Sequence, residues 1–248
     1  MAGDNYGVTL YTYHGCPYAH RVHIALAELG VKYEEVIIDL DKPREQWYLQ
    51  QVNPRGLVPA LKISSSALGG EHVLIESEII VQFLADVVPG VLAPASNTPQ
   101  GAIARARINY FIDTWNTKVG SFMFNLFRVQ TDVEREACSK EWIAAIKKEI
   151  EPLLSDAKPF FGGSPSLTLA EVNVAPFVLR IYALAGADVL PKSLTDGLDG
   201  LPNFTKWAQS VQQVPSALNI WDAPKVVERT KERLERMKHA KQPQAAKA

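Results

Sequence analysis

Cysteines are scarce in this sequence, and long apolar runs are missing. Two cysteines among 248 residues argue against a disulfide framework and fit a reducing compartment. No apolar run approaches the roughly 20 residues that a membrane-spanning helix needs. The first five residues have neither the basic nor the apolar segment of a secretory signal. We therefore expect a cytoplasmic protein without a membrane partner.

Neither sign of charge is in excess. The sequence has 26 Lys and Arg residues against 27 Asp and Glu residues, which gives a formal net charge of −1. This balance creates no global field that would favour nucleic acid. The basic segment 225–241 is interleaved with glutamates, and Glu232 precedes Arg236 by four residues. That spacing predicts a solvated helix rather than a nucleic-acid-binding face.

Short strand and helix patterns alternate over residues 1–88. The predicted elements are strand 7–12, helix 17–29, strand 33–38, helix 43–52, strands 57–63 and 73–75 joined by the Ser- and Gly-rich segment 64–71, and helix 76–88. This order, βαβ followed by ββα, indicates a compact α/β domain.

No convincing strand pattern follows that domain. Three prolines in segment 89–99 predict a linker. The predicted helices beyond it are 100–129, 131–154, 168–184, 201–214 and 223–237, and the last residues, 238–248, are expected to form a flexible tail. Helix 168–184 is apolar nearly all round and should be central and buried. Thr168 and Glu171 fit a capping box at its start.

Cys16 lies where the first strand pattern gives way to the first helix pattern. Free N–H groups at a helix N-terminus stabilise a thiolate, so this position should lower the pKa of the thiol and create a nucleophile. Pro17 suits the first helical turn. Position 19, where a dithiol site would have its second cysteine, is Ala19. A single-thiol site needs an external thiol, and glutathione is the abundant cytosolic candidate.

Two further segments suit a peptide-like ligand. Pro59 stands just inside a predicted strand, which a cis bond after Val58 would explain. Such a turn exposes the Val58 backbone for pairing. Glu76 and Ser77 open the helix that follows the hairpin. Helix N–H groups and the Ser77 hydroxyl suit a carboxylate, while Glu76 suits an ammonium group.

Together these motifs resemble the glutathione transferase superfamily. Cys16-Pro17-Tyr18-Ala19, followed by Arg21, is similar to its cysteine-type omega and lambda classes. The resemblance covers nearly the whole chain. It implies a glutathione-binding α/β thioredoxin-like domain (1–88), a linker (89–99) and an all-α domain (100–237), and it implies a homodimer. Tyr11 and Tyr13 lie near the position of the hydroxyl in tyrosine-type members, so that alternative stays open.

The resemblance also assigns roles to residues. It implies that Cys16 faces the glutathione sulfur, Val58 pairs with the cysteinyl backbone, and Glu76 and Ser77 hold the γ-glutamyl end. Lys42, or Arg44 instead, would meet the glycine carboxylate. The remaining residues assigned to glutathione binding are Pro17, Tyr18 and Pro59.

The second substrate is expected between the two domains, against aromatic side chains. The candidates for this wall are Tyr18, Tyr110, Trp115, Phe122, Phe124 and Trp221. Tyr110, Trp115 and Trp221 are favoured because the first long helix and the C-terminal segment line this cleft in the family.

The histidines are not expected to bind a metal. His20 and His23 are three apart on one predicted helix, but no neighbouring cysteine or carboxylate has a fitting spacing. We interpret both as surface or interface residues. His14 is near Cys16 in sequence, but its side chain is expected to face away.

Three hypotheses for function follow. The first is a glutathione S-transferase of the thioltransferase type, in which Cys16 removes glutathione from mixed disulfides or S-glutathionylated small molecules. The second is glutathione conjugation, or glutathione-dependent isomerisation or dehalogenation, of an aromatic electrophile in biosynthesis or detoxification. The third is a non-enzymatic glutathione-binding module, against which the complete set of glutathione contacts argues.

Overall fold

The computed structural model describes residues 6–241. Its sheet has four strands in the order β2-β1-β3-β4. The strands are β1 (Gly7–Thr12), β2 (Glu34–Ile37), β3 (Ala60–Ser65) and β4 (Gly70–Ile75). Strands β1 and β2 run parallel, and the other neighbouring pairs run antiparallel. The helices of this half are α1 (Pro17–Glu28), α2 (Gln46–Gln51) and α3 (Ser77–Val87).

This order of strands and helices confirms the predicted α/β class, with limits shifted by a few residues. The largest shift is in the hairpin, where pairing of β3 with β4 extends to Ser65 and Gly70. The predicted connection 64–71 therefore shortens to four residues. Gly30, with a φ of 63°, follows the end of α1, where the left-handed conformation turns the chain towards β2.

The second half contains helices and no strand within the described residues. The helices are α4 (Pro99–Thr114), α5 (Phe122–Leu126), α6 (Asp132–Ala145), α7 (Leu169–Gly186), α8 (Lys192–Leu198), α9 (Pro202–Val211), α10 (Pro215–Leu218) and α11 (Ala223–Lys241). The thioredoxin-like domain followed by a helical domain is the fold class that the sequence predicts. The domain limits themselves stay a prediction.

Two of the predicted long helices are interrupted. The helix expected over 100–129 loses its α-helical pattern after Thr114, passes through one π-helical turn and resumes at Phe122. Gly120 and Ser121 stand at the break. The helix expected over 131–154 likewise ends in a π-helical and a 3₁₀ turn. Apolar periodicity does not register such turns, because they shift the register without removing the apolar face.

Short helices and the last helix also differ from the prediction. The sequence analysis missed α8 and α10, which have seven and four residues. Helix α11 continues to Lys241, so residues 238–241 are helical and do not belong to the predicted tail. The rest of that tail, 242–248, lies outside the described residues.

Helix α7 is the buried centre of the helical half, as predicted. Its length and mean hydropathy of 1.3 would suffice for a membrane span, but 83% of it is buried within the fold. The predicted capping box is present, because Thr168 accepts from the helix backbone and Glu171 accepts from the Thr168 N–H. Helix α1 packs against α7 and shares one apolar core with it. This packing brings the start of α1 against the helical half.

Candidate active site

Cys16 is the N-cap residue of α1, in extended backbone conformation, and Pro17 is the first helical residue. The loop before it is closed by the Cys16 N–H, which donates to the Tyr13 carbonyl at 2.9 Å. The half-buried thiol donates to the Val58 carbonyl oxygen at 3.8 Å. Cys16 therefore lies between the helix start and the turn before β3, two of the three predicted motifs.

Two buried guanidinium groups act electrostatically on Cys16. Arg21 of α1 is 2% exposed and Arg180 of α7 is 3% exposed. Burial lowers the pKa of each side chain to about 10, so both remain charged at neutral pH. Burial raises the pKa of the Cys16 thiol, and the charges of Arg180 and Arg21 partly oppose that rise.

Neutral acceptors satisfy both groups. Arg21 donates to the Asn173 carbonyl at 2.8 Å, to Asn116 Oδ1 at 3.0 Å and to Ser77 Oγ at 3.3 Å. Arg180 donates to the carbonyls of Pro176 at 2.8 Å and Gly15 at 3.2 Å. Within residues 6–241, neither forms an ion pair with a carboxylate. Glu78 acts electrostatically on Arg21 without a direct ion pair, whereas the charged group that acts on Arg180 is Cys16.

The pKa of Cys16 does not move in the predicted direction. Burial raises the pKa of the thiol above its ordinary value of 9.0. Hydrogen bonds from the backbone of Ala19 and Tyr18 act in the opposite direction, as the helix-start argument requires, but burial outweighs them. The sequence reasoning counted the helix N-terminus and missed the desolvation, which arises when Cys16 packs against the buried cluster that contains Tyr11 and Val58.

The predicted γ-glutamyl residues open onto a cavity of about 460 Å³. Glu76 is the N-cap of α3 and has a φ of 71°, and Ser77 is its first residue. The Glu76 carboxylate pairs with Arg55, while Ser77 is buried beneath it and accepts from Arg21. Tyr18 lines the same cavity, with its ring edge-on to Phe177 at 5.5 Å. The structure thus brings Glu76, Ser77 and Tyr18 together.

The Val58–Pro59 bond is cis, as predicted. Val58 is buried, and its carbonyl accepts from the Cys16 thiol. The turn before it is held by Tyr48 and Asn53, which both donate to the Leu57 carbonyl, at 2.7 and 2.8 Å. The turn and the thiol are therefore adjacent.

Lys42 and Arg44 do not join this group. The ammonium group of Lys42 is exposed and pairs with Asp39 at 3.2 Å, and Lys42 lines neither the cavity at Ser77 nor the cleft beside Cys16. Arg44 is engaged with the backbone, because it donates to the carbonyls of Gly56 at 3.0 Å and Leu40 at 3.1 Å, among others. Arg44 fastens the loop 39–44 to the turn at residue 56, which makes it structural rather than a free carboxylate-binding group.

A larger cleft of about 790 Å³ runs from Cys16 along α11. Its floor is the loop before α1, with Tyr13, Gly15, Cys16, Pro17 and Tyr18. The two cavities share Tyr18 and Phe124, so they are neighbours along one path. A molecule held at the smaller cavity would extend past Cys16 into the larger one.

The three favoured aromatic residues do not line this cleft. Tyr110 is 59% exposed on the outer side of α4, and Trp115 is 1% exposed in the core. Trp221 stacks on His20 at 6.1 Å, with the Arg180 guanidinium 5.1 Å from its ring centroid. Periodicity places an aromatic residue on a helix, but tertiary packing decides which side of the helix faces the cleft.

The other aromatic candidates divide between cleft and core. Tyr18 and Phe124 line the cleft, whereas Phe122 stacks on Trp142 at 6.1 Å. Of the two tyrosines near the end of β1, Tyr11 is buried against Trp47 and Tyr48. Tyr13 lines the cleft, and its hydroxyl accepts from Arg229.

The two helix histidines are core residues, and their interpretation as surface or interface groups is wrong. His20 is buried, with Nε2 2.9 Å from the Ala217 carbonyl. His23 is buried between Thr12 Oγ1 and Tyr33 OH, each 2.8 Å from a ring nitrogen.

A carboxylate does lie near these histidines, contrary to the sequence argument. Glu35 of β2 pairs with His14, and the ligand atoms of His14, His23 and Glu35 lie within 4.8 Å of one another. The sequence argument missed Glu35 because strand pairing, and not sequence spacing, brings it there. His14 faces Glu35, away from Cys16, as expected.

Arg180 is the main site residue that sequence reasoning missed. It is the lone cation in the apolar segment 168–184, and an isolated charge in a buried helix signals a functional or paired group. The Tyr13–Arg229 pair gave no such signal, because it joins residues 216 positions apart.

The fold and this site define a class: a thioredoxin-like domain with a single cysteine at a helix start, joined to a helical domain. The family model for the glutathione S-transferase N-terminal domain matches residues 10–91. Probable glutathione S-transferase GSTU1 of Oryza sativa subsp. indica is 31% identical over 218 residues, which are 85% of this chain and 87% of that protein. The chain therefore belongs to the glutathione S-transferase family.

Omega-class proteins are among the relatives. Glutathione S-transferase omega-1 of Rattus norvegicus is 24% identical over 210 residues, covering 85% of this chain and 78% of that protein. The crystal structure of glutathione transferase Omega 2C from Trametes versicolor superposes with a TM-score of 0.75 at 26% identity, covering 93% of this chain and all of that one. The chain is a glutathione-dependent transferase similar to the cysteine-type omega class.

Proposed function

We propose that the enzyme is a thioltransferase in which Cys16 is the nucleophile. The observation that carries this proposal is the single thiol of Cys16 at the start of α1, on which the buried guanidinium groups of Arg21 and Arg180 act electrostatically. Cations beside a thiol favour its thiolate, and the thiolate is the reactive form. A small buried cysteine without chemistry would not need them.

The reaction has two exchange steps. The Cys16 thiolate attacks the glutathione sulfur of a mixed disulfide, forming a Cys16–glutathione disulfide and releasing the other thiol as its thiolate. The thiolate of a second glutathione then attacks the glutathione sulfur of that adduct. This step releases oxidised glutathione and regenerates the Cys16 thiolate, so electrons balance without another oxidant or reductant. Arg21 and Arg180 stabilise Cys16 both as attacking and as leaving thiolate.

Glutathione would bind along the path between the two cavities. The N-terminus of α3, with Ser77, suits the γ-glutamyl carboxylate, and Glu76 suits its ammonium group. The Val58 backbone would pair with the cysteinyl residue, with Pro59 fixing the turn. Pro17 and Tyr18 would form the side of the path next to Cys16. Lys42 lines neither cavity and pairs with Asp39, so it is not proposed for the glycine carboxylate.

The test is glutathione-dependent reduction of the mixed disulfide between glutathione and 2-mercaptoethanol. Cys16→Ser should abolish the reaction, because an alcohol cannot carry the exchange. Cys138→Ser is the matched control, since it removes the other thiol from α6, and it should keep the wild-type rate. Equal rates for wild type and Cys16→Ser would refute the nucleophile assignment.

One observation favours a second candidate, conjugation or glutathione-dependent isomerisation or dehalogenation of an aromatic electrophile. Burial keeps the pKa of Cys16 above its ordinary value, and the thiol donates to the Val58 carbonyl. A protonated Cys16 would serve glutathione as a hydrogen-bond donor. A wild-type enzyme that binds glutathione, leaves the mixed disulfide intact and conjugates an aromatic electrophile would support this candidate.

The cellular setting is proposed with the same reasoning. The composition fits a cytoplasmic enzyme, and a role in detoxification fits either candidate reaction.

A homodimer is proposed from the family resemblance, and analytical ultracentrifugation of the full chain would test it. A sedimentation coefficient of a single 27.4 kDa chain would contradict the dimer.

A further inference from the structure

The cleft beside Cys16 is rich in guanidinium groups. Four arginines line it, against two carboxylates, and these residues are Arg180, Arg229, Arg233, Arg236, Asp41 and Glu232. The chain as a whole has a net charge of −1, so this excess of positive charge is local. Three of the arginines stand on α11 at spacings of four and three residues, which places them on one helix face.

Most of these arginines already have partners. Arg180 donates to the backbone carbonyls of Pro176 and Gly15. Arg229 donates to the Tyr13 hydroxyl, and its guanidinium lies 4.8 Å from the centroid of the Tyr13 ring. Arg236 pairs with Asp41 at 3.0 Å.

Arg233 differs from the other three. It is exposed, and within residues 6–241 it has neither a hydrogen bond nor an ion pair. A guanidinium group presents donors in a planar fork that matches a carboxylate. Arg233 is therefore the donor along this cleft that is free to receive an acidic group.

The wall that faces these cations is apolar. Its residues come from α5, α7 and the loops beside them, and they are Met123, Phe124, Phe127 and Leu184. The cleft thus combines a cationic side on α11 with an apolar side on the helical core. A ligand that fits both sides has an apolar body with a negative group on one face.

We infer that the second substrate of this enzyme is an apolar, aromatic-sized molecule with a carboxylate, which Arg233 binds. This inference rests on the proposed glutathione site, because it concerns the group attached to the glutathione sulfur. The sulfur end of that substrate lies at Cys16, and its acidic end points along α11.

The test uses two ligands that cannot react. S-(4-carboxybenzyl)glutathione and S-(4-carbamoylbenzyl)glutathione have the same shape and differ in one negative charge. Their dissociation constants are measured by isothermal titration calorimetry with wild type, Arg233→Gln and Lys231→Gln. Lys231 is the matched control, since it is a cation on α11 that does not line this cleft.

Wild type should bind the acid more tightly than the amide by roughly fivefold, the upper range for an exposed ion pair. Arg233→Gln should remove this preference, and Lys231→Gln should keep it. Added salt should also weaken the preference, because the pair is open to solvent.

The remaining outcomes refute the inference in distinguishable ways. Equal affinity of wild type for both ligands overturns it and leaves the glutathione site intact. A preference that survives in Arg233→Gln, or falls equally in Lys231→Gln, overturns the role of Arg233. If wild type binds neither ligand, the glutathione site is wrong, and the proposed function and this inference fail together.

Discussion

The burial of His23 leads us to expect that the protein loses stability in mild acid. Its ring is fully buried, and both nitrogens have hydroxyl partners, Thr12 and Tyr33. Burial, with a smaller contribution from the charge of His14, lowers the pKa of His23 from 6.5 to about 3. The unfolded chain therefore takes up a proton below about pH 6.5 that the folded chain still refuses. Stability is complete above that pH and falls as the pH decreases towards 3.

The magnitude follows from the size of the shift. Each unit of pKa difference corresponds to about 1.4 kcal/mol, so between about pH 8 and pH 5 the term removes about 2 kcal/mol. Below about pH 3 the loss levels off at roughly 5 kcal/mol, because the folded protein then binds the proton too. One group works against this result. The Glu35 carboxylate lies 3.9 Å from His23 Nε2 and would favour the charged form of His23, but this carboxylate already pairs with His14.

The assay is urea unfolding, followed by tryptophan fluorescence at fixed protein concentration. His23→Gln removes the titrating group and costs stability at about pH 8, since its hydrogen bonds change. The difference from wild type should shrink by about 2 kcal/mol at about pH 5, because the variant has no such proton to take up. His72→Gln is the control, because His72 is exposed on β4. The free energy of unfolding of this variant should change with pH as that of wild type does. A His23→Gln difference that does not change with pH would refute the reasoning.

Two other predictions concern Glu171 and Cys16. Glu171→Gln should lower the free energy of unfolding by about 2–3 kcal/mol, because the buried carboxylate accepts four hydrogen bonds, one of them from Trp207 Nε1 at 2.7 Å. Glu134→Gln, in the exposed capping box of α6, should destabilise the protein much less than Glu171→Gln, and equal urea midpoints for the two variants would contradict the contrast. Alkylation of Cys16 by iodoacetamide, in a Cys138→Ser background, should speed up with pH and reach half its maximum above pH 9.0. A midpoint below that value would show that the cations and helix N–H groups outweigh burial.

The parts of the site that sequence reasoning found depend on local geometry. A strand that ends at a cysteine followed by proline fixes a helix start, and the structure has that start at Pro17. The cis bond at Pro59 and the capping box at Thr168 have the same origin. In each case the atoms that decide the conformation lie within about four residues of one another, so the sequence holds the required information.

The parts that it missed depend on contacts between distant segments. The sequence indicates that Trp115 and Tyr110 belong to one helix, yet one is in the core and the other faces solvent. Glu35 reaches His14 only because β2 pairs with β1. The pKa of Cys16 depends on desolvation by β1 and by the turn before β3, to which the motif at residue 16 gives no clue.

Packing around Cys16 both opposes and supports its chemistry. The buried cluster that contains Tyr11, Ala19 and Val58 removes water from the thiol, which raises its pKa, whereas α7 places Arg180 close enough to oppose that rise. Both effects act on any anion at this place, because burial disfavours the charged form and a nearby cation favours it. A leaving or attacking thiolate of glutathione at that place would gain from Arg21 and Arg180 as much as Cys16 does. The arginine pair therefore serves either proposed reaction, and it is the reactivity of Cys16, not the presence of the cations, that distinguishes them.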